Sequence, residues 1–272
     1  MKILVTTPNG KVGRELVKIL AERGVSYRVG QHRSQTSAPD VVSLDYANPD
    51  TFGAALRGIT ALYLASPGDS HPEPEMRLVD VARAAGVERV VKLSVMDADK
   101  ADSPLRRVER HIEASGLRWT HVRPTWFMQN FSTSHAAAIR GGTLAEPAGE
   151  ARTAFVDARD IAAVAFEALT KPGHEGQAYT LTGPAQLSRA DVAAAFTKEL
   201  GRTVTYVAVS DEQFRAAVNG HMPQSYVELL SALYAKVRAG KTERQTDDVR
   251  RVLGRDPIPL EQFIRDHRSV WA

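Results

Sequence analysis

Short apolar runs alternate with longer amphipathic segments through the first half of this 272-residue chain. The apolar runs predict buried strands at 2–6, 26–31, 40–44, 60–64, 89–94 and 118–123. Between them, apolar positions that recur every three or four residues predict helices at about 12–23, 49–57, 73–85 and 103–115. These helices are followed by glycines suited to C-caps, which are Gly24, Gly58, Gly86 and Gly116. The alternation predicts an α/β fold, a Rossmann-type doubly wound parallel sheet.

The second half has a mixed pattern, which predicts a smaller mixed C-terminal lobe. The segment Val156-Asp-Ala-Arg-Asp-Ile161 has acids suited to a first helical turn and opens a helix that runs through Leu169. Further on, the pattern predicts strands at 178–182 and 203–209, a helix at 188–200 between them, and mostly helix after 209. We therefore expect a core at 1–150 and a smaller substrate-side lobe at 151–272, some of whose elements return to the core.

A glycine loop joins the first predicted strand to the first helix. The loop has the pattern T-x-x-G-x-x-G, with Thr7 where a dinucleotide fingerprint has its first glycine, followed by Gly10 and Gly13. Gly10 would let the backbone approach a pyrophosphate, and Gly13 would let the helix pack closely on the strand. A tight turn without a ligand is the alternative. The expected contacts of a dinucleotide here are Thr7, Asn9, Gly10, Lys11, Val12 and Gly13.

Residues just after the other strands are the next candidates, because ligands of such sheets lie beyond the carboxyl ends of the strands. The second strand ends without the acid that would select NAD. Arg33 and Ser34 stand there instead and suit a 2′-phosphate, so we expect NADP(H) to be preferred, with NAD(H) possible and a plain surface arginine as the alternative. Asp45 would meet the adenine region or cap a turn. The remaining candidates that flank the dinucleotide are Ala65, Ser66, Pro67 and Ser94.

Charge argues against nucleic-acid binding. The formal net charge is only +3, and the basic residues are spread along the chain without a basic stripe. The densest group, at 106–110, shares its predicted helix with Glu109 and Glu113, so we expect a solvated helix face there. The eight histidines have no spacing typical of metal ligands, and no metal is expected.

Other features bear on the compartment. The chain has no cysteine, which suits a reducing environment, and it enters a strand directly, without a signal peptide. No apolar run approaches the roughly 20 residues that span a bilayer. We therefore expect a cytoplasmic protein with no membrane partner, either a monomer or a homodimer.

The segment Glu109-Arg-His-Ile-Glu-Ala-Ser-Gly-Leu-Arg-Trp-Thr-His-Val-Arg-Pro-Thr-Trp-Phe-Met-Gln-Asn-Phe131 carries a family resemblance. Together with the glycine loop and Val156-Asp-x-x-Asp-Ile161, it resembles the NmrA-like branch of the atypical short-chain dehydrogenase/reductases. Within that branch it is similar to the bacterial NAD(P)H:quinone reductase and triphenylmethane reductase group. The resemblance extends over almost the whole chain, including 179–184 and 249–254. It implies a Rossmann core, a small C-terminal lobe and NADP(H) along the strand ends.

The resemblance also reveals a missing pair. Standard members carry Tyr-x-x-x-Lys on the helix before a glutamate that matches Glu109, and this chain has Ala101 and Leu105 at those positions. Ser94 falls near the family's serine but lacks its tyrosine. Ser94 and His135 are therefore only weak catalytic candidates. Hydride transfer to a conjugated acceptor gives a delocalised product, which needs less help from an acid than an isolated ketone does.

The segment after 124 is expected to supply a flat apolar pocket beside the nicotinamide. Its candidate wall residues are Trp126, Phe127, Met128 and Phe131, with Asn130 as a polar group, and ordinary core packing is the alternative for each. Met222 and Tyr226 are weaker candidates for an opposite wall.

Three functions follow as hypotheses. The first is an NADPH-dependent reductase that transfers hydride to a conjugated aromatic or quinonoid small molecule. The second is a non-catalytic NAD(P)-binding regulator that senses redox state. The third is a tailoring reductase, cyclase or isomerase that acts on an aromatic polyketide-like intermediate.

Overall fold

A computed structural model describes residues 1–32, 40–66, 72–100 and 102–272. The predictions made for Arg33, Ser34, Pro67 and Ala101 lie outside these residues. In the part of the chain that is described, no helix is long and apolar enough to cross a membrane.

Seven parallel strands form the main sheet, which confirms the predicted fold class. They are β1 (Ile3–Val5), β2 (Tyr27–Gln31), β3 (Val41–Ser43), β4 (Ala61–Leu64), β5 (Arg89–Leu93), β6 (Arg118–Pro124) and β8 (Gln177–Leu181). Their order is β3-β2-β1-β4-β5-β6-β8. The chain starts in the middle of the sheet and reverses direction between β1 and β4, so their carboxyl ends form the switch point at which doubly wound sheets bind ligands.

Helices follow the strands as the periodicity predicts. The first four are α1 (Lys11–Glu22), α2 (Asp50–Leu56), α3 (Glu73–Ala84) and α4 (Pro104–Ala114), and each end lies within two residues of the predicted one. The glycines predicted as C-caps all have positive φ, between +64° and +83°. On one face of the sheet, Leu4, Leu62 and Val90 pack with α2, α3 and α4 in one apolar core.

The remaining helices and strands belong to the second half. The helices are α5 (Ala136–Arg140), α6 (Ala158–Thr170), α7 (Arg189–Leu200), α8 (Asp211–Val218), α9 (Gln224–Arg238), α10 (Asp248–Leu253) and α11 (Leu260–Asp266). Two further strands, β7 (Thr143–Glu146) and β9 (Thr205–Ala208), pair in parallel. The sequence did not predict α5 and β7, because α5 is only five residues long and β7 offers a single large apolar residue, Leu144, between glycines and a proline.

The chain forms two compact units that differ from the expected division at residue 150. Unit 1 comprises 1–124, 158–181 and 248–255, and unit 2 comprises 125–157, 182–247 and 256–272. The difference arises because β8 pairs with β6, with Tyr179 opposite Val122, while α6 packs on α1 and α10 packs on α6. The sheet of unit 1 therefore includes elements from both halves of the chain.

Candidate functional site

The glycine loop of unit 1 is closed by the backbone. The Gly10 N–H donates to the Thr7 carbonyl oxygen at 3.0 Å. A Cβ added to Gly13 would lie 1.9 Å from that same oxygen, so only glycine fits between the loop and α1. The role expected of Gly13, close packing of helix on strand, matches this contact.

The start of α1 is not capped by a side chain. Gly10 is its N-cap residue, and no acidic residue lies in the first turn. By contrast, Ser103, Ser188 and Ser210 each cap their own helix, α4, α7 and α8, with a hydroxyl that accepts an N–H. An uncapped first turn leaves N–H donors and the positive end of the helix dipole for an external anion, as a dinucleotide pyrophosphate requires.

Lys11 follows directly at the first position of α1. Burial lowers the pKa of its amine. A phosphate beside this amine would favour its charged form. Lys11 is therefore suited to the contact with a dinucleotide that the sequence predicts for it.

The carboxyl ends of β1 and β4 are tied to each other. The Thr6 hydroxyl donates to the Ala65 carbonyl at 2.6 Å, and the Ala65 N–H donates back to that hydroxyl at 2.9 Å. Tyr46 also donates to the Ala65 carbonyl, at 2.7 Å. These bonds fix the backbone that leads to Ser66, a half-buried candidate contact. Sequence reasoning missed Thr6 and Tyr46, although Thr6 ends the strand predicted at 2–6 and Tyr46 lies two residues after the strand predicted at 40–44.

Asp45 takes part in a turn after β3. Its carboxylate accepts the Ala47 N–H at 2.9 Å and lies 3.0 Å from His32 Nδ1. Of the two roles that the sequence left open, the turn cap is therefore present. The His32–Asp45 pair joins the ends of β2 and β3.

Glu109 does not lie on a solvated helix face, and that expectation was wrong. Its side chain is fully buried and accepts two hydrogen bonds from Arg123, from Nε at 2.9 Å and from Nη2 at 2.8 Å. Burial opposes ionisation of this carboxyl, but the neighbouring polar and charged groups together, with the bonds from Arg123 first among them, hold the pKa of Glu109 below its ordinary value. The amphipathic pattern did not reveal this, because the partner of Glu109 comes from β6.

The Glu109–Arg123 pair stabilises the ends of β5 and β6. The buried Ser94 lies here, and its N–H donates to the Val122 carbonyl at 2.8 Å. Its hydroxyl is buried and has no hydrogen-bond partner among the described residues. Ser94 is thus part of a buried polar group at the carboxyl edge of the sheet.

A neighbouring cluster has the composition of a metal site but also contains a cation of its own. Among the described residues, Glu109, Glu113 and His121 bring three possible ligand atoms together. Arg106 forms ion pairs with both carboxylates. The guanidinium groups of Arg106 and Arg123 together balance the two carboxylates, so the cluster gives no reason to infer a metal.

In unit 2, the segment predicted to form a pocket divides by burial. Trp126, Phe127 and Asn130 are half-buried. Met128 and Phe131 are each only 1% exposed and belong to the apolar core, which is the alternative that the sequence left open. Backbone bonds fix the segment, since the Met128 N–H donates to the Val156 carbonyl and the Val156 N–H donates to the Trp126 carbonyl.

The two weaker pocket candidates lie at the start of α9. Tyr226 is 50% exposed, and Met222 is half-buried just before the helix. Farther along α9, Tyr234 packs against Trp126 with ring centroids 5.1 Å apart. A helix in unit 2 thus supports the tryptophan from one side.

A buried acid of unit 2 was not anticipated from the sequence. Glu146 at the end of β7 accepts a bond from Arg189 Nε at 2.8 Å and lies 3.0 Å from His135 Nε2. Burial opposes its ionisation, but these two partners overcome it and lower the pKa of Glu146 to about 2. Arg189 also lies over the rings of Trp126 and Phe155. The cluster had no signal in the sequence, because Arg189 begins a helix and Glu146 lies in β7, a strand that was not predicted.

Comparison with known proteins identifies the family. The model of the NmrA-like family matches residues 1–263. The chain belongs to this family. That result confirms the resemblance drawn from the 109–131 segment and the glycine loop.

Individual NmrA-like relatives agree. The chain is 35% identical to the NAD(P)H azoreductase of Xenophilus azovorans, over 99% of each sequence. Its fold is similar to that of the Citrobacter sp. triphenylmethane reductase complexed with NADP(H), with a TM-score of 0.86, 21% identity and coverage of 98% of this chain and 100% of the other. It is also similar to the Escherichia coli NADPH-dependent quinone oxidoreductase QOR2 complexed with NADPH, with a TM-score of 0.85, 24% identity and coverage of 98% and 99%.

Proposed function

We propose that the protein is an NADPH-dependent reductase that transfers hydride to a conjugated aromatic or quinonoid small molecule. The uncapped start of α1 behind the glycine loop carries this proposal, because it offers an anion site at the switch point of the sheet. The sequence similarity to an NAD(P)H azoreductase over the full length supports the same reaction class.

The cofactor would be held by unit 1. Backbone donors at Val12 and Gly13 would bind the pyrophosphate, with Thr7, Asn9, Gly10 and Lys11 around it. Ala65 and Ser66, held by Thr6 and Tyr46, would flank the dinucleotide, and Ser94 would bond the nicotinamide ribose or a backbone group. Asp45 would adjoin the adenine region.

Selection of NADPH is assigned to Arg33, with Ser34 beside it, because the second strand ends without an acid. Replacing Arg33 by Asp should weaken NADPH binding far more than NADH binding, since only NADPH has a 2′-phosphate. Fluorescence titrations with both nucleotides check this, and equal losses for the two would contradict the assignment.

The acceptor class follows from the residues that this chain lacks. Leu105 stands in α4 where the standard lysine would be, and Ala101 where the tyrosine would be. NADPH, when bound, supplies the hydride. The chain's own contribution is to orient the nicotinamide, to exclude water and to bind a flat acceptor whose product spreads its charge.

Binding of a flat acceptor is assigned to unit 2. Trp126 and Phe127 offer half-buried aromatic surface, Asn130 is the nearby polar group, and the buried Met128 and Phe131 support the segment from the core. Met222 and Tyr226 remain predicted residues of a further wall of the pocket. The cytoplasmic location and the monomeric or homodimeric state also remain predictions.

A regulator that binds NAD(P) without turnover is the second candidate, and the missing tyrosine–lysine pair favours it. The specialised tailoring enzyme is the third. Oxidation of NADPH by the purified protein separates them, with an azo dye, quinones and cationic triphenylmethane dyes as acceptors and a binding titration on the same sample. Turnover of a dye or quinone is expected. Tight NADPH binding with no turnover of any acceptor would overturn the reductase proposal in favour of the regulator or a biosynthetic substrate.

A further inference from the structure

A histidine stands beside the segment assigned to acceptor binding. His135 follows Asn130 by five residues, and its backbone N–H donates to the Asn130 carbonyl at 3.1 Å. Its ring lies against Phe131, with centroids 6.1 Å apart. The imidazole side chain is largely buried, with 19% of its surface exposed.

The imidazole is oriented by a buried carboxylate. His135 Nε2 lies 3.0 Å from Oε1 of Glu146, whose side chain is only 2% exposed. Among the described residues, Nδ1 of His135 has no hydrogen-bond partner. A carboxylate only accepts hydrogen bonds, so Nε2 must carry the proton of this bond, and Nδ1 is the ring atom that is left to exchange a proton.

The carboxylate is itself fixed from several elements. Arg189, at the start of α7, donates from Nε to Oε2 of Glu146 at 2.8 Å and from Nη1 to Thr153 Oγ1 at 2.7 Å. Tyr234 from α9 and Tyr206 from β9 also lie near this carboxylate, and burial, together with its negative charge, raises the pKa of both phenols. Glu146 therefore stays ionised and cannot turn away from the imidazole.

We propose that His135 is the proton donor to the reduced acceptor and that Glu146 is the positioning residue that orients it. The inference rests on the proposed reductase function. It names an acid for a reductase that lacks the tyrosine–lysine pair.

The proton balance identifies the acceptors that need this acid. Reduction of an azo group breaks the N=N π bond and forms two N–H bonds, one from hydride and one from a proton. NADPH is the two-electron reductant, the acceptor is reduced, and the His135 imidazolium would give the Nδ1 proton to the second nitrogen and regain one from water. A quinone likewise takes one hydride and one proton to become a hydroquinone.

A cationic triphenylmethane dye differs in one respect. Hydride addition to its central carbon neutralises the cation and gives the leuco dye, and no proton is needed. The two acceptor types therefore separate proton donation from NADPH binding and from hydride transfer.

The test compares His135→Gln with the wild type on an azo dye and on a cationic triphenylmethane dye. We expect kcat for the azo dye to fall roughly 100-fold or more, the usual contribution of a general acid, with kcat for the cationic dye within about twofold. The solvent deuterium isotope effect on azo reduction should increase, because proton transfer becomes slower. NADPH affinity, measured by fluorescence titration, should be unchanged.

Two further variants sharpen the test. Glu146→Gln should show the same selective loss in smaller degree, but it leaves the buried Arg189 without its anion and can fail to fold, so His135→Gln decides the question. His111→Gln is the matched control, because His111 Nε2 also lies beside a carboxylate, Asp80 Oδ1 at 2.6 Å, in unit 1. It should leave both acceptors and NADPH binding unaffected.

Azo reduction that persists in His135→Gln, or an equal loss on both dyes, would overturn the proton-donor assignment while leaving the reductase proposal standing. A wild-type protein that binds NADPH but reduces neither dye nor quinone would instead overturn the proposed function, and the proton donor with it.

Discussion

At the scale of single residues, Gly13 is the position where side-chain volume matters most in the nucleotide loop. A methyl group there would lie 1.9 Å from the Thr7 carbonyl oxygen, a backbone atom that cannot rotate away. We expect Gly13→Ala to lower the free energy of unfolding by about 1 to 3 kcal/mol, the usual cost of overpacking. It should also weaken NADPH binding by shifting the loop, and urea unfolding with a fluorescence titration measures both effects.

Gly53 provides the matched control for that substitution. It lies exposed within α2, with nothing within 4 Å of an added Cβ. Gly53→Ala should raise the free energy of unfolding by about 0.5 to 1 kcal/mol through helix propensity and leave NADPH binding unchanged. A Gly13→Ala protein as stable as wild type would show that the loop relaxes without cost.

At the scale of elements, the start of α1 has neither a side-chain cap nor an acidic residue in its first turn, and its proposed role can be tested by charge. Gly10→Asp would place a carboxylate at the N-cap, where it stabilises the helix but repels a phosphate. We expect NADPH affinity to fall roughly tenfold or more, with folding retained. Calorimetric titration checks the affinity, and circular dichroism checks the fold.

The same substitution at another helix start separates the two effects. Ser103→Asp also places a carboxylate at an N-cap, that of α4, and should not alter NADPH affinity. An unchanged affinity in Gly10→Asp would argue against pyrophosphate binding at the start of α1.

His121 in β6 makes the free energy of unfolding depend on pH. Burial lowers the pKa of this imidazole to about 4 from an ordinary value of 6.5, so the folded protein holds it neutral at pH 7. The unfolded chain then binds more protons between these values. The free energy of unfolding therefore has its full value, as far as His121 is concerned, above pH 6.5. As the pH falls towards 4, it decreases by up to about 3 kcal/mol.

Urea unfolding at pH 7 and at pH 5 checks this prediction. The free energy of unfolding of the wild type should be lower at pH 5. His121→Gln removes the titrating group, so its difference between the two pH values should be clearly smaller, whatever its stability at pH 7. An identical pH dependence in both proteins would assign the acid sensitivity to other groups.

At the scale of the whole molecule, the parts that depend on local pattern were predictable and those that depend on distant partners were not. The strands and helices of the first half, the C-cap glycines and the loop from Thr7 to Gly13 follow from spacing and residue type alone. The buried pairs Glu109–Arg123 and Glu146–Arg189 do not, because each joins residues from different elements. For the same reason Met128 and Phe131 could be wall or core until their neighbours were known.

The domain boundary shows the same limit, because the sequence indicated that some late elements return to the core but not that β8 pairs with β6 or that α6 packs on α1. Unit 1 needs 158–181 and 248–255 as well as 1–124. A fragment that ends at residue 150 would leave the outer edge of β6 unpaired and would expose the face of α1 that α6 covers.

We expect the fragment 1–150 to show no cooperative unfolding and no NADPH binding. Exposing each large apolar side chain costs about 1.5 to 3 kcal/mol, and a domain's whole stability is only about 5 to 15 kcal/mol, so the loss of α6 and β8 exceeds what the sheet retains. Co-expression with the fragment 151–272 supplies both elements and should restore binding. Cooperative unfolding and NADPH binding by 1–150 alone would instead make the first 150 residues an autonomous domain, with β8 and α6 as additions to a sheet that is already stable.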